Sequence, residues 1–397
     1  MEVDWSKLPT ELLNLISQRI YGEVDLIRFR SVCSTWRSSS SPNHHDILPF
    51  KFPLLKLPVL SDPNDVDTIN NTTSFWYLCK QNIFLIKPPQ EEEQTLTLHP
   101  WLISTSQNTS GQTKHSHPLP QYGTFNCNFV LDYNKLPVLH LGSTYFVLDY
   151  GLTVNKQLYS GEYMYPKKAI ATTCHGKKSL IVGALASPPY SLLLKFGDEN
   201  WKVIPDMSAN FGDICLFKGR PYAVDKIGKT IMVGPDSSVQ LVAEPLVGGG
   251  NVKFLVESEG NLLLVDVYDC RCLCIDPNNP GLNYHVRIDL FKLSEKEKKW
   301  VKLTSLGDRV LFLGLRLGSV CSFCASASDL GVTKGNCVIF VGNIFQSIKS
   351  YQTYVLDLDQ GRLSLLSDYP EYSILFRPPH RWMDARYQVC YLASKGF

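Results

Sequence analysis

The sequence predicts a short helical head followed by a long, mainly β body. Three observations carry this reading. Residues 8–38 place apolar side chains at three- and four-residue intervals. From about residue 50 onward, apolar runs are short and are separated by Gly, Asn, Asp and Pro. Only 19% of the 397 residues are charged, below the roughly 25% usual in soluble domains. Exposed helix faces are normally filled with Glu and Lys, so a charge-poor chain that is 44% apolar and 11% aromatic fits sheets better than bundles.

In the head, Leu8-Pro9-Thr10-Glu11 opens a helix. Pro is tolerated in a first turn because the N–H it lacks has no partner there, and Glu11 suits the positive end of the helix dipole. Leu12, Leu15, Ile16 and Ile20 then make one apolar stripe, broken at Tyr21-Gly22. A second amphipathic stretch begins at Asp25, with Leu26, Phe29, Val32, Cys33 and Trp36 on one side, and stops at the serines 38–41 and Pro42. Helices this short are marginal alone, and about forty residues bury little. The head, residues 1–45, is therefore expected to lean on a partner or on the body, residues 50–397.

The body shows three hairpin signals. Lys253–Glu257 and Leu262–Val267 flank Ser258-Glu259-Gly260-Asn261. Ile214–Phe217 and Tyr222–Val224 flank Lys218-Gly219-Arg220-Pro221, and Tyr354–Asp359 and Leu363–Leu365 flank Gln360-Gly361-Arg362. Apolar strands ending in Asp recur at Asp149, Asp225, Asp266 and Asp357, with separations of 76, 41 and 91 residues. These are near multiples of a unit of roughly 40–45 residues, the size of a four-stranded propeller blade, and the length of the body then gives six to eight blades. Stacked sandwiches are the alternative architecture. The segment from Lys87 to Tyr122, with Pro88-Pro89, Glu91–Glu93 and the polar string Ser104–Ser116, reads as a long loop excursion.

Composition narrows the function. The net charge is +2, and five acidic and five basic residues cancel over residues 1–40, so no nucleic-acid or anionic-membrane partner is expected. No apolar stretch approaches the ~20 residues of a membrane span. The acidic, polar opening Met1-Glu2-Val3-Asp4-Trp5 is unlike a secretory signal. Twelve cysteines scattered without a compact framework point to a reducing compartment, the cytoplasm or the nucleus.

Cys321-Ser322-Phe323-Cys324 and Cys270-Arg271-Cys272-Leu273-Cys274 have spacings that invite a metal reading, but a structural zinc site needs four converging ligands. His44-His45 and His115-Ser116-His117 read as solvated side chains of a linker and a loop. The Gly248–Gly250 run lacks the Lys-Ser/Thr of a phosphate loop and reads as a turn, and Ser294–Lys299 as a solvated loop between strands. No His-Glu-x-x-His helix and no Gly-x-Ser-x-Gly elbow occurs. The chain is expected to be no enzyme and to hold no metal or cofactor.

The head resembles the F-box. That family's Leu-Pro-x-Glu opening, spaced aliphatics, Asp-Leu pair and Val-Cys-x-x-Trp-Arg ending stand here as Leu8, Pro9, Glu11, Leu12, Ile16, Ile20, Asp25, Leu26, Val32, Cys33, Trp36 and Arg37. The body resembles the KIB-type β-propeller of plant F-box proteins. The likeness runs through Trp101-Leu102-Ile103, Gly212–Asp225, Leu255–Val265, Phe291-Lys292-Leu293, Lys299-Trp300-Val301 and Ser305–Gly314, and is densest between residues 195 and 345.

The resemblance implies a small all-α F-box of about three helices and a propeller. It also implies an adaptor of an SCF-type cullin–RING ubiquitin ligase. The F-box would dock a Skp-type subunit, and through it the cullin, while the propeller captures a protein target. Leu8, Pro9, Glu11, Leu12, Ile16, Leu26, Val32, Cys33 and Trp36 are then the docking candidates, some of them packing the head internally. No recognition residue on the propeller can be named from the sequence. A propeller binding protein without ligase coupling is the alternative, and a hydrolase or lyase would need a cleft with converging acid and base groups.

Overall fold

A computed structural model of the chain describes residues 5–17, 19–20, 23–40, 50–53, 55–56, 75–88, 99–107, 113–119, 136–149, 163–164, 168–172, 180–187, 190–197, 200–204, 211–234, 238–250, 252–268, 287–316, 319–345 and 352–379.

Three helices make the head: α1 (Thr10–Ser17), α2 (Glu23–Ser31) and α3 (Ser34–Ser39), after a single 3-10 turn at Trp5–Lys7. Leu13 N–H donates to the Pro9 carbonyl at 3.1 Å, so the helix starts where the Leu-Pro opening placed it. The second amphipathic stretch is not one helix. Cys33 takes extended dihedrals (φ −161°, ψ 176°) as the N-cap of α3, and its carbonyl accepts from Arg37 N–H at 3.0 Å. The break folds α3 back, so that the Trp36 ring meets Phe29 with centroids 4.6 Å apart.

Among the described residues the body is sheet apart from short helical turns. β1 (Phe50–Pro53) belongs to the first sheet, whereas β2 (Leu55–Lys56) pairs later with β7. β3 (Phe75–Ile86), β4 (Trp101–Gln107) and β5 (Thr113–Ser116) follow in order, and β6 (Val138–Asp149) pairs with the other edge of β3. After β7 (Tyr163–Met164) come three antiparallel meanders. The second sheet holds β8 (Lys168–Thr172), β9 (Leu180–Ser187), β10 (Tyr190–Gly197) and β11 (Asn200–Val203). The third holds β12 (Phe211–Phe217), β13 (Arg220–Asp225), β14 (Thr230–Val233) and β15 (Val239–Ala243). The fourth holds β16 (Val252–Ser258), β17 (Asn261–Tyr268), β18 (Arg287–Ser294) and β19 (Lys299–Leu303).

The last sheet contains β20 (Arg309–Arg316), β21 (Ser319–Ser326), β22 (Cys337–Val341), β23 (Thr353–Asp357) and β24 (Arg362–Leu365), ordered β21-β20-β22-β23-β24. β22 runs parallel to β20 after a crossover through α4 (Ala327–Leu330). α5 (Pro370–Ile374) closes the described chain.

Five strands stand side by side in a closed circuit: β6 beside β8, β8 beside β12, β12 beside β16, β16 beside β21, and β21 beside β6. The sheets radiate from them as propeller blades do. The ring is sealed by a core shared between the first and last sheets, where Ile83, Leu85 and Leu102 pack with Phe312, Phe323 and Leu375. Leu102 N–H also donates to the Leu375 carbonyl at 2.7 Å.

The hairpin signals all form. In β12–β13 and β16–β17 the two turn residues both have positive φ: Lys218 +50° and Gly219 +72°, Glu259 +50° and Gly260 +70°. That turn matches the right-handed twist of the strands and favours Gly at its second position.

Two expectations are corrected. Among the described residues the sheets of four or five strands number five, not six to eight. The 41-residue spacing holds between the third and fourth sheets, but the first and last sheets consume far more chain, so dividing length by the unit overcounts. The expected loop excursion 87–122 contains β4 and β5, and some of its described polar side chains are used inside the sheet. Ser104 Oγ, fully buried, donates to the Ser116 carbonyl at 2.9 Å, and the buried His117 ring stacks on Phe376 at 4.7 Å. His115 and His117 are therefore not solvated loop residues.

Candidate functional site

Two features offer surface to a partner: one face of the head and the channel of the ring. On α1, Leu13 is fully buried and Ser17 nearly so, which fixes the inward face. Leu12 (47% exposed), Leu15 (53%) and Ile16 (42%) point outward, as does Val32 (54%) after α2. An aliphatic stripe this open on an eight-residue helix has no partner within the described chain. Pro9 and Glu11 are exposed beside it, and Leu8, Leu26 and Cys33 are half-buried. Trp36 is turned inward: besides its contact with Phe29, its indole N–H donates to the Trp5 carbonyl at 3.2 Å. It serves the head's own packing. Trp5, 62% exposed, is an open apolar side chain that the motif did not single out.

The head is anchored to the ring rather than tethered to it. Val24 of α2 is 5% exposed and packs in a cluster with Phe84, Ile86, Trp101 and Ile103 of the first sheet. Arg28 Nη2 donates to the Leu136 carbonyl at 3.3 Å.

The five inner strands enclose a cavity of about 680 Å3. Its walls are aliphatic at Leu139, Leu141, Ile170, Leu216 and Leu255, and ionisable side chains are set among them. Lys168 on β8 donates to Asp213 on β12 at 2.6 Å. Asp213 also accepts from its neighbour Ile214 N–H at 2.8 Å and from Leu255 N–H of β16 at 2.9 Å, so one carboxylate joins three sheets. Burial raises the Asp213 pKa, opposed by Lys168 and the two amides. Burial likewise pushes the adjacent Cys215 thiol far up, which keeps it protonated and a poor nucleophile.

At the rim, Arg309 meets Glu259 at 3.0 Å and Ser258 Oγ at 3.3 Å. Lys87 meets Asp329 at 2.7 Å, and that hydrogen bond, helped by Ser326, holds the Asp329 carboxyl below the usual range. Glu257 also lines the cavity. Its pKa is raised by partial burial, tempered by the charge of Lys218.

These channel residues were missed in the sequence because their partners are remote. The available signal was a charged residue inside an otherwise apolar strand, as at Asp213 and Lys253. The latter is fully buried against Asp266 at 2.5 Å and is held there by the Gly250 carbonyl at 2.6 Å.

The Cys321–Cys324 spacing does not bring the two thiols together. Cys321 and Cys324 fall in different apolar clusters on opposite faces of β21. Among the described residues no three His, Cys, Asp or Glu side chains gather as for a metal ion. Cys270, Cys272, Cys274, His44 and His45 lie outside the described residues. Among the described residues no helix is long and apolar enough to cross a membrane.

The family model of the KIB1-4 beta-propeller matches residues 56–365. The F-box protein SKIP23 of Arabidopsis thaliana is 34% identical, with 96% of each chain covered. The chain is an F-box protein of the KIB1-4 β-propeller family. A second Arabidopsis F-box protein, At2g17036, is 31% identical over 97% of this chain and 96% of its own. The putative F-box protein At5g60060 is 29% identical over 78% and 81%. These names give the F-box and the family model gives the propeller, and none of them indicates a catalytic family.

Proposed function

We propose that this F-box protein is the substrate-recognition adaptor of an SCF-type cullin–RING ubiquitin ligase. The head docks a Skp-type subunit and the propeller holds a target protein. The supporting observation is the open aliphatic face of Leu12, Leu15, Ile16 and Val32 on a head whose inner face is already satisfied by Leu13, Val24 and Phe29. Such a face is stabilised by covering it: burying one aliphatic side chain is worth about 1.5–3 kcal/mol. Leu8, Pro9 and Glu11 flank the face, and Leu26 and Cys33 support it from partly buried positions. Ubiquitin transfer itself is left to other subunits, so the chain needs no catalytic group, and it works in the cytoplasm or the nucleus.

The test is retention of the full-length chain on an immobilised Skp-type adaptor. The wild type is expected to be retained, and Leu12→Asp with Ile16→Asp is expected to weaken retention by at least about a hundredfold, since two apolar contacts are lost and two charges are desolvated. Circular dichroism on the same protein checks that the ring is intact. Failure of the wild type to bind, or binding untouched by the double substitution, overturns the docking assignment and leaves a free-standing propeller binding protein.

A further inference from the structure

We propose that the channel of the ring receives a lysine or arginine side chain of the target, with Glu257 as its acceptor. This rests on the reading of the propeller as the part that holds the target, and it adds the chemistry by which it does so.

The argument starts from the charges that line the cavity. Asp213 behind the wall is matched by Lys168, Glu259 by Arg309 at 3.0 Å, and Asp329 by Lys87 at 2.7 Å. Lys80, on the first sheet, is the remaining lining cation. Glu257 is different. Among the described residues no hydrogen bond or ion pair reaches its carboxylate. Lys218, the cation that acts on it through space, is itself paired with Glu295 at 3.0 Å. Glu257 sits on β16 and lines the cavity wall, two residues beyond the buried Leu255. A carboxylate on the wall of a cavity gains more from an incoming cation than one on an open surface.

The rest of the lining fits the same guest. Lys and Arg carry an aliphatic stem below the charged head. Leu139, Leu141 and Leu216 offer walls for the stem, and the hydroxyls of Ser143 and Ser322 offer acceptors for N–H groups that Glu257 leaves unused. An acidic side chain would meet Glu257 without a free counter-charge, and a purely aliphatic one would leave the carboxylate buried and unpaired.

The probe is an array of decapeptides with a central Lys, Arg, norleucine or Glu flanked by randomised positions, read with the labelled full-length chain. Norleucine keeps the stem of lysine and deletes its charge. Lys and Arg peptides are expected to bind at least about tenfold better than their norleucine counterparts, the scale of one charge-assisted hydrogen bond. Glu257→Gln is expected to erase that advantage and Glu257→Lys to reverse it in favour of Glu peptides. The side chain is exposed and no described residue pairs with it, so both variants are expected to fold normally.

Equal binding of Lys and norleucine peptides, or the same ranking for the wild type and Glu257→Lys, overturns the proposal. Adaptor retention measured on the same proteins is expected to stay unchanged. Its absence in the wild type would remove the docking assignment while leaving the array result standing.

Discussion

Removing the Asp213 carboxylate should do more damage than any surface change, because it joins three sheets. Its side chain is fully buried and accepts from Lys168 Nζ at 2.6 Å, Ile214 N–H at 2.8 Å and Leu255 N–H at 2.9 Å. Asp213→Ala leaves an ammonium group with a side chain only 10% exposed and no counter-charge, a loss of about 3–5 kcal/mol. It also orphans two amides, at about 1–3 kcal/mol each. The total rivals the whole stability of an ordinary domain, about 5–15 kcal/mol. The variant is expected to lose its cooperative thermal transition or to unfold well below the wild-type midpoint.

The mechanism is isolated by a cycle. Asp213→Asn keeps an acceptor for an amide but strands the lysine, Lys168→Met strands the carboxylate, and the double variant strands neither charge. Urea midpoints are expected to show the double variant at least about 2 kcal/mol better than the sum of the singles. Additivity within about 0.5 kcal/mol would mean that the two groups do not depend on each other, and the three-sheet tie would be wrong.

Three further outcomes follow from other residues. Val24→Asp puts a carboxylate among Phe84, Ile86, Trp101 and Ile103 at a cost of several kcal/mol, so hydrogen exchange should show the three helices deprotected while β16 and β17 keep their protection; equal protection of the head would contradict the anchored joint. Gly250 lies against the Val267 carbonyl and Asp266, where a Cβ has no room, so Gly250→Ala should lower the thermal midpoint far more than Gly248→Ala, which meets open space and loses only the roughly 1 kcal/mol of a left-handed φ of +71°.

The third concerns Asp357. Burial would raise its pKa, but the Lys334 ion pair at 2.8 Å and amide bonds from Asp359 and Gln360 override this and hold it below the ordinary carboxylate value. The unfolded chain therefore binds the proton first, so this stabilisation is full above about pH 4 and is lost as pH falls through the depressed folded value. Asp357→Asn should keep the turn acceptor and flatten that acid limb, whereas Asp357→Ala should also cost about 1–2 kcal/mol at neutral pH; an unchanged acid limb in the Asn variant would refute the assignment.

What could be read from the sequence was local chemistry. Gly219 and Gly260 announce their turns because glycine takes a positive φ without strain, so those hairpins were legible, whereas the positive φ of Lys218 and Glu259 was not. The Leu-Pro opening was legible because proline suits a helix's first turn, and the aliphatic stripe of α1 because its residues recur at three- and four-residue intervals. Blade number was not, since β22 reaches β20 by a crossover and β6 returns to pair with β3 across the whole first sheet; neither event leaves a periodic mark. The Lys168–Asp213 tie was invisible because its partners are 45 residues apart and nothing in either neighbourhood names the other. Trp36 is half-buried against Phe29, a contact within the head that the motif spacing does not announce.

The anchored joint bears on how docking and capture relate. Arg28 holds the Leu136 carbonyl; the next residue, Pro137, accepts from Lys87 N–H at 2.8 Å, and the Lys87 ammonium holds Asp329, which lines the cavity. The head and the cavity rim are thus joined by three consecutive polar contacts, with Val24 packed alongside. Close-packed interiors transmit displacement instead of absorbing it. On the proposed reading, a guest in the channel would be held at a distance from the aliphatic face of α1 that is set by packed side chains, with no need for a stiff linker. Breaking the Lys87–Asp329 pair, between side chains each 37% exposed, should by itself cost little stability. If it nevertheless changes protection in α2, the rim and the head move together; if it changes protection only in α4, Val24 alone fixes the joint.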